Sequence, residues 1–472
     1  MFDANKRVGM GKQLIIHAII TRVAVFVLQL IFSSFDFSTD AFKGLQEQEN
    51  WIGWTFRGFM RWDSIQFLHI AEHGYVYEHS LAFFPFFPTV LQFGSTLLEF
   101  VSMGIICSSS TLIIAAVVLN TISFLISSLL VFEISFILTS SQKISYISFL
   151  LFSINPASIF FSSIYTESMY SCLSLLGIRL LLSTKSSFIT LPLSTLIFTF
   201  AFLTRSNGLL NIGYLLFYEG LRLIGQRRDR LWNDSLRVQI LKIGCYLIRI
   251  VLAMTFIVFT LHIHSNRQIK RFCSDSPPDL PQSLLEFGLK ENMTIVGSKV
   301  SWCSESSLIY PPFYSTVQGQ YWDVHLFGYW KVHKIPCFLL SLPALICTVY
   351  CTLRVINRLL LNGMEWLIDS HGDCLPFALH SIALAIPALL IYNVEVFTRI
   401  VFSSSPFLYI ELARIIHERT PTVTVDHMWK PRAFPFLPYL LYRRDVCCFI
   451  SVYFFVYYLA GTAMHSSFLP FT

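Results

Sequence analysis

Charge is what this sequence has least of. Only 13% of its 472 residues are Asp, Glu, Lys or Arg, about half the ~25% of an average soluble chain. With 54% hydrophobic residues and a mean hydropathy of +0.60, disorder is excluded. Three soluble domains, which the length alone would suggest, are excluded as well, because there is too little polar surface to cover three cores. The remaining solvent is the bilayer. No Lys/Arg block forms a binding patch, so nucleic acid is not an expected partner. A Gly-rich phosphate loop, HExxH, GxSxG and CxxC are all missing, and with them the usual signatures of nucleotide hydrolysis, zinc proteolysis and serine-esterase chemistry. No His/Asp/Glu cluster has the spacing of metal ligands, so neither metal nor cofactor is expected. No internal repeat is visible.

What is abundant is long apolar runs. A helix rises about 1.5 Å per residue across a hydrocarbon core of about 30 Å, so runs of 18 or more residues are span candidates. The first, Gln13 to Phe32, follows Lys6, Arg7 and Lys12, which hold the N-terminus in the cytosol. It lacks a cleavage pattern and reads as an uncleaved signal anchor. Further spans read at 81–101, 111–139, 144–162, 166–183, 188–219, 240–262, 334–353, 374–396 and 446–464. The expected fold is therefore an all-α polytopic membrane protein, a single domain over 1–472 with about ten transmembrane helices. Six crossings precede the basic stretch Arg222, Arg227, Arg228, Arg230, Arg237 and Lys242, returning it to the cytosol as the charge rule requires. The large loop near 263–333 is then lumenal, 354–373 cytosolic and 397–445 lumenal. The 188–219 run is too long for one straight span and is broken by Thr204-Arg205-Ser206-Asn207-Gly208. Such a break is tolerated only against protein or a watery cavity.

Of 11 cysteines, only Cys273 and Cys303 lie in the large lumenal loop. They are expected to form a disulfide, the alternative being two buried thiols. The same loop carries the sequon Asn292-Met293-Thr294, whereas Asn233-Asp234-Ser235 sits in the basic cytosolic stretch. Asn292 is thus expected to be glycosylated and Asn233 not.

The chemistry concentrates after the first span, in WIGWTFRGFMRWDSIQFLHIAEHGYVYEHSLAFFPFFP, Trp51 to Pro88. Phe59, Trp62, Ile65 and Leu68 recur at threefold spacing, predicting an interfacial helix in the first lumenal loop. Asp63 reads equally as its N-cap, in a capping box with Gln66, and as a catalytic carboxylate. Glu72 and Glu78 read as solvated or headgroup-facing. Within the membrane, ionisable residues are costly and default to function. Glu167 and Arg205 are the clearest, against the alternatives of a first-turn carboxylate behind Thr166 and a snorkelling or ion-paired arginine. Arg22 and His17 read as peripheral. A third polar cluster, Gln318 to His325, contains Tyr321, Trp322 and Asp323.

Five blocks in order carry a specific resemblance: RWDSIQFLHIAEHGYVYE with LAFFPFFP, INPASIFFSSIYTES, TRSNGLLNIGYL, QYWDVHLFGYWKVHKIPCFLLSLP and GTAMHSSFLPFT. Together they resemble the PIG-V family of GPI mannosyltransferases, within the GT-C glycosyltransferase architecture. The resemblance implies an endoplasmic-reticulum enzyme. It would transfer mannose from dolichol-phosphate-mannose to the GPI lipid precursor and form the second, α-1,6-linked mannose by an inverting displacement. A small membrane subunit is a further candidate partner. Carried over block by block, Asp63 becomes the expected general base with Glu78 as runner-up. Trp62, Glu167, Arg205, Asn207, Tyr321 and Trp322 become substrate-binding positions. The alternatives are a polytopic lipid transporter or scramblase, which should show two related halves, and a GT-C mannosyltransferase with another acceptor.

Overall fold

The computed structural model describes residues 4–35, 50–183, 187–226, 236–274, 280–298, 300–304, 311–421, 440–441 and 443–471. In chain order the helices are α1 (Ala4–Phe32), α2 (Trp51–Phe56), α3 (Asp63–His73), α4 (Phe86–Val101), α5 (Ser108–Thr139), α6 (Gln142–Ser153), α7 (Glu167–Leu181), α8 (Ser187–Thr204), α9 (Ile212–Gln226), α10 (Leu236–Cys273), α11 (Gln282–Lys290), α12 (Pro312–Trp322), α13 (Ile335–Asp369), α14 (Leu375–Leu390), α15 (Phe397–Ser404), α16 (Phe407–Arg419) and α17 (Val446–Ser466). Among the described residues the only extended pairing is an isolated bridge, Tyr77 to Ile295. The expectation of an all-α protein is met.

Among the described residues, five helical stretches are long and apolar enough to cross a membrane: Gly11–Phe32, Ser108–Thr139, Ile240–Cys273, Val332–Asp369 and Val446–Ser466. Their outward faces are apolar; on α10, for example, Leu247, Val251, Leu252 and Phe259 are all more than half exposed. Continuous apolar surface of this kind belongs against lipid.

The path of the chain differs from the sequence reading in three places: at 81–101, at 397–445, and at 188–219, which makes two passes in place of one. The 81–101 run does not cross. Asn50, in the loop after α1, donates from Nδ2 to Ser110 Oγ at 2.7 Å, and Ser95 meets Thr111 at 2.6 Å. The α4–α5 turn therefore lies at the same end of the bundle as that loop, hereafter the loop end. The 397–445 segment, expected to be a lumenal loop, instead begins with two core helices: Phe397, Phe402, Phe407, Leu408 and Ile416 are buried. Arg399 at its start reaches Asp63 in the loop after α1. Further along, Glu411 binds Arg358 near the far end of α13, so α15 and α16 together traverse the bundle. The 188–219 run does break where expected. α8 ends at Thr204, a 3-10 turn covers Ser206–Asn211, and α9 returns, with Asn211 donating to Ser174 at 3.0 Å.

Traced by the end of the bundle at which each begins and ends, the described passes are α1, α5, α6, α7, α8, α9, α10, α13, α14, the α15–α16 pair and α17, eleven against an expectation of about ten. α17 runs parallel to α1: Tyr458 donates to the carbonyl of Thr21 at 2.6 Å and Ser467 to that of Phe32 at 2.9 Å. The chain thus ends at the loop end.

Arg22 is not peripheral. It is buried in α1 and donates to the carbonyls of Ser153 and Ser158 and the hydroxyls of Ser158 and Ser162, tying α1 to the turn after α6. At the loop end a second core forms around Tyr75, Phe272, Trp302 and Phe313. A disulfide between Cys273 and Cys303 joins the tip of α10 to this core.

Candidate active site

The site is organised by Asp63. Trp62 has φ 55° and ψ −127°, a conformation that costs an ordinary residue on the order of 1–3 kcal/mol and is held only where the surroundings demand it. The turn it makes starts α3 at Asp63, whose backbone N–H donates to the Tyr165 hydroxyl at 3.2 Å. Asp63 is therefore the first helical residue and not the N-cap. The expected capping box is not formed, because Gln66 Oε1 meets His79 Nε2 at 3.0 Å instead. Burial pushes His79 down to about 4. Gly74, at φ 75°, closes α3. The threefold stripe does not share one helix: Phe59 lies in a preceding 3-10 turn and Trp62 outside α3, with its ring against Phe468.

The Asp63 carboxylate is held by a residue that the sequence reading missed. Arg399, on α15, donates from both Nη1 and Nη2 to Asp63 Oδ2, each at 3.0 Å. Asp63 Oδ1 makes no hydrogen bond among the described residues. The third nitrogen of Arg399, Nε, lies 3.6 Å from Glu167 Oε1. The same carboxylate oxygen pairs with Arg205 Nη1. Arg205 also donates to Thr166 Oγ1 at 2.9 Å and to Asn207 Oδ1 at 3.3 Å, and Asn207 Nδ2 donates to Ser404 Oγ at 3.1 Å. Thr166 therefore serves Arg205 and does not cap α7. The Phe160 and Tyr165 rings flank Arg399 at 5.3 and 5.5 Å.

The result is two carboxylates and two guanidiniums in one network, with no net charge. Glu167 has no exposed side-chain surface, Arg399 and Arg205 keep 13% and 14%, and Asp63 is the most open at 29%. A buried carboxylate is tolerable only when paired in this way. Here one carboxylate oxygen anchors both cations, while the more exposed acid keeps an unused oxygen. Such a site can take a proton at Asp63 and present N–H groups to an anion.

The other expected positions form a separate cluster. Glu78 is buried and not headgroup-facing. Its Oε1 accepts from Trp302 Nε1 at 2.8 Å and its Oε2 from the Tyr321 hydroxyl at 2.9 Å, while its backbone N–H donates to Thr294 at 2.9 Å. Trp322 packs edge-on to Phe83. Asp323 is exposed and is held below its ordinary value by hydrogen bonds from Lys331 and then His325. Glu72 is exposed, as expected. Asn292 is exposed too, and Asn233 lies outside the described residues. Among the described residues, Asp373, Cys374 and Glu411 have metal-ligand types in reach of one another. Their carboxylates are engaged by Arg358 and Arg414, so the charge a cation would supply is already in place.

Comparison with known proteins shows the family to which the chain belongs. The family described as Mannosyltransferase (PIG-V) matches residues 11–472. The chain belongs to the PIG-V mannosyltransferase family. This PIG-V family member is similar to GPI mannosyltransferase pigv-1 of Caenorhabditis elegans, 33% identical over 96% of this chain and 80% of that one. It is 27% identical to GPI alpha-1,6-mannosyltransferase 2 of Homo sapiens, over 98% of each chain. Among solved structures it is similar to the archaeal oligosaccharyltransferase AglB from Archaeoglobus fulgidus, with a TM-score of 0.46 and 10% identity, covering 96% of this chain and 56% of that chain. As a PIG-V mannosyltransferase the chain is a glycosyltransferase, and the transporter or scramblase alternative is set aside.

Proposed function

We propose that this PIG-V mannosyltransferase adds the second, α-1,6-linked mannose to the GPI precursor in the endoplasmic reticulum, using dolichol-phosphate-mannose as donor. Its relatives are named for that linkage and acceptor. The observation that carries the mechanism is the Asp63–Arg399–Glu167–Arg205 network with Asp63 Oδ1 unoccupied. The acceptor hydroxyl oxygen attacks C1 of the donor mannose, the C1–O bond to phosphate breaks, and dolichyl phosphate departs as the anion. Asp63 Oδ1 takes the hydroxyl proton, and the Arg399 and Arg205 guanidiniums receive the phosphate. A β-linked donor and an α-linked product fit a single inverting displacement. Glu78 is less suited as base, because both its oxygens are occupied by Trp302 and Tyr321.

Two measurements test this. The wild-type chain should restore surface GPI proteins in cells lacking the second GPI mannose. Asp63→Asn, at matched protein level in microsomes, should lose about 10²- to 10⁴-fold in mannose transfer while staying folded. Near-normal transfer by Asp63→Asn would remove Asp63 from the chemistry.

A further inference from the structure

We infer that the donor phosphate and Asp63 compete for Arg399, so that binding the donor releases the base. This rests on the donor reading above and adds an order to it. The four-residue network is neutral as it stands, so these residues offer an arriving phosphodiester no net positive charge unless one carboxylate gives way. Glu167 cannot, since it is fully buried and shared between both guanidiniums. Asp63 can, since it is the most exposed member and touches Arg399 through one oxygen. Its hold uses the Nη1–Nη2 fork, the face a phosphate needs for two parallel charge-assisted hydrogen bonds. Arg399 Nε stays beside Glu167, which keeps the guanidinium in place while its other face changes partner. Arg205 Nη2 makes no hydrogen bond among the described residues and is available for the same phosphate.

Once the phosphate occupies the fork, the Asp63 backbone stays at the start of α3, its N–H still donating to the Tyr165 hydroxyl, while the carboxylate loses its counter-charge. Its full negative charge is then directed at the acceptor hydroxyl. The proton acceptor is thus armed only when a sugar is present to transfer, and the donor should bind before the acceptor.

The competition can be read in binding, independently of turnover. The purified full-length chain in detergent is titrated with dolichyl phosphate. Asp63→Asn, although unable to transfer mannose, should bind it more tightly than wild type by roughly 5-fold or more, the low end of coupling between linked sites. Arg399→Gln should bind it more weakly. In the Asp63→Asn/Arg399→Gln double variant the gain from Asn should vanish, since the cycle isolates the pair. Should Arg399→Gln not fold, Arg399→Lys, which keeps the charge but loses the fork, takes its place and should shrink the gain. In wild-type kinetics dolichyl phosphate should compete with the donor and be noncompetitive against the acceptor.

Unchanged or weaker binding by Asp63→Asn overturns the exchange, as does a gain that survives without Arg399. If wild type transfers mannose and binds dolichyl phosphate while Asp63→Asn binds it no better, the exchange alone fails. If wild type binds no dolichyl phosphate, the donor reading fails with it.

Discussion

Asp63 begins α3 and Glu78 follows that helix after a short turn, yet the surroundings of the two carboxylates divide the labour between them. Glu78 takes one donor on each oxygen and joins three segments: its own turn, the disulfide-tethered Trp302 and α12 through Tyr321. Glu78→Gln leaves one of those donors facing an amide NH₂, which costs about 1–3 kcal/mol. We expect a lower thermal midpoint for the purified protein, with transfer per folded molecule close to wild type. A hundredfold fall in transfer at unchanged stability would instead place Glu78 in the chemistry. Asp63 was legible as a candidate because it lies in the polar loop after the first span and falls within the first block of the PIG-V resemblance. Arg399 was not legible. It sits in FTRIVFSS, where a single basic residue after an apolar run reads as a span end, and its partner Asp63 is 336 residues away in sequence. Side-chain pairing over such a separation leaves no periodicity to read.

At the scale of elements, the break inside the 188–219 run was readable, because Arg, Ser, Asn and Gly in succession cannot continue an apolar helix. Its purpose needed the structure. The 3-10 turn folds α9 back on α8 and presents Arg205 and Asn207 to Glu167 and Ser404. Gly208 makes the turn possible, because a Cβ there would lie 2.7 Å from the carbonyl of Ala201 and from the backbone of Phe202. Backbone cannot yield as a side chain can, so Gly208→Ala should destabilise by about 1–3 kcal/mol. It should also raise the KM for the donor by displacing Arg205. Gly213→Ala, where a Cβ meets nothing within 4 Å, is the control and should change neither. Equal behaviour of the two variants would show that the turn does not position Arg205. α15 and α16 were misread for the converse reason. Arg399, Glu411 and Arg414 made the stretch look polar, but each charge is matched inside the bundle, by Asp63, Arg358 and Asp373 respectively.

For the whole molecule, two misreadings cancel before the basic stretch near Arg222 and do not cancel after it. The sequence counted 81–101 as a crossing and 188–219 as one. The structure removes the first and splits the second into α8 and α9, so six passes still precede Arg222. The α15–α16 pass then has no counterpart in the sequence count. It changes the side on which the chain ends, as the hydrogen bonds from Tyr458 to Thr21 and from Ser467 to Phe32 require. The charge rule predicts a cytosolic N-terminus beside Lys6, Arg7 and Lys12; in that orientation the loop end and its exposed Asn292 would face the lumen, and the C-terminus would join them. An even number of crossings would put both termini in the cytosol. Epitope tags on each end decide between the two. In sealed microsomes an N-terminal tag should be removed by added protease, while a C-terminal tag carrying an acceptor sequon should be protected and gain an endoglycosidase-sensitive glycan. Asn292→Gln should remove a glycan in the same preparation. Digestion of the C-terminal tag in sealed vesicles would exclude the parallel arrangement of α1 and α17. It would also remove Phe468 from its place beside Trp62 and the site.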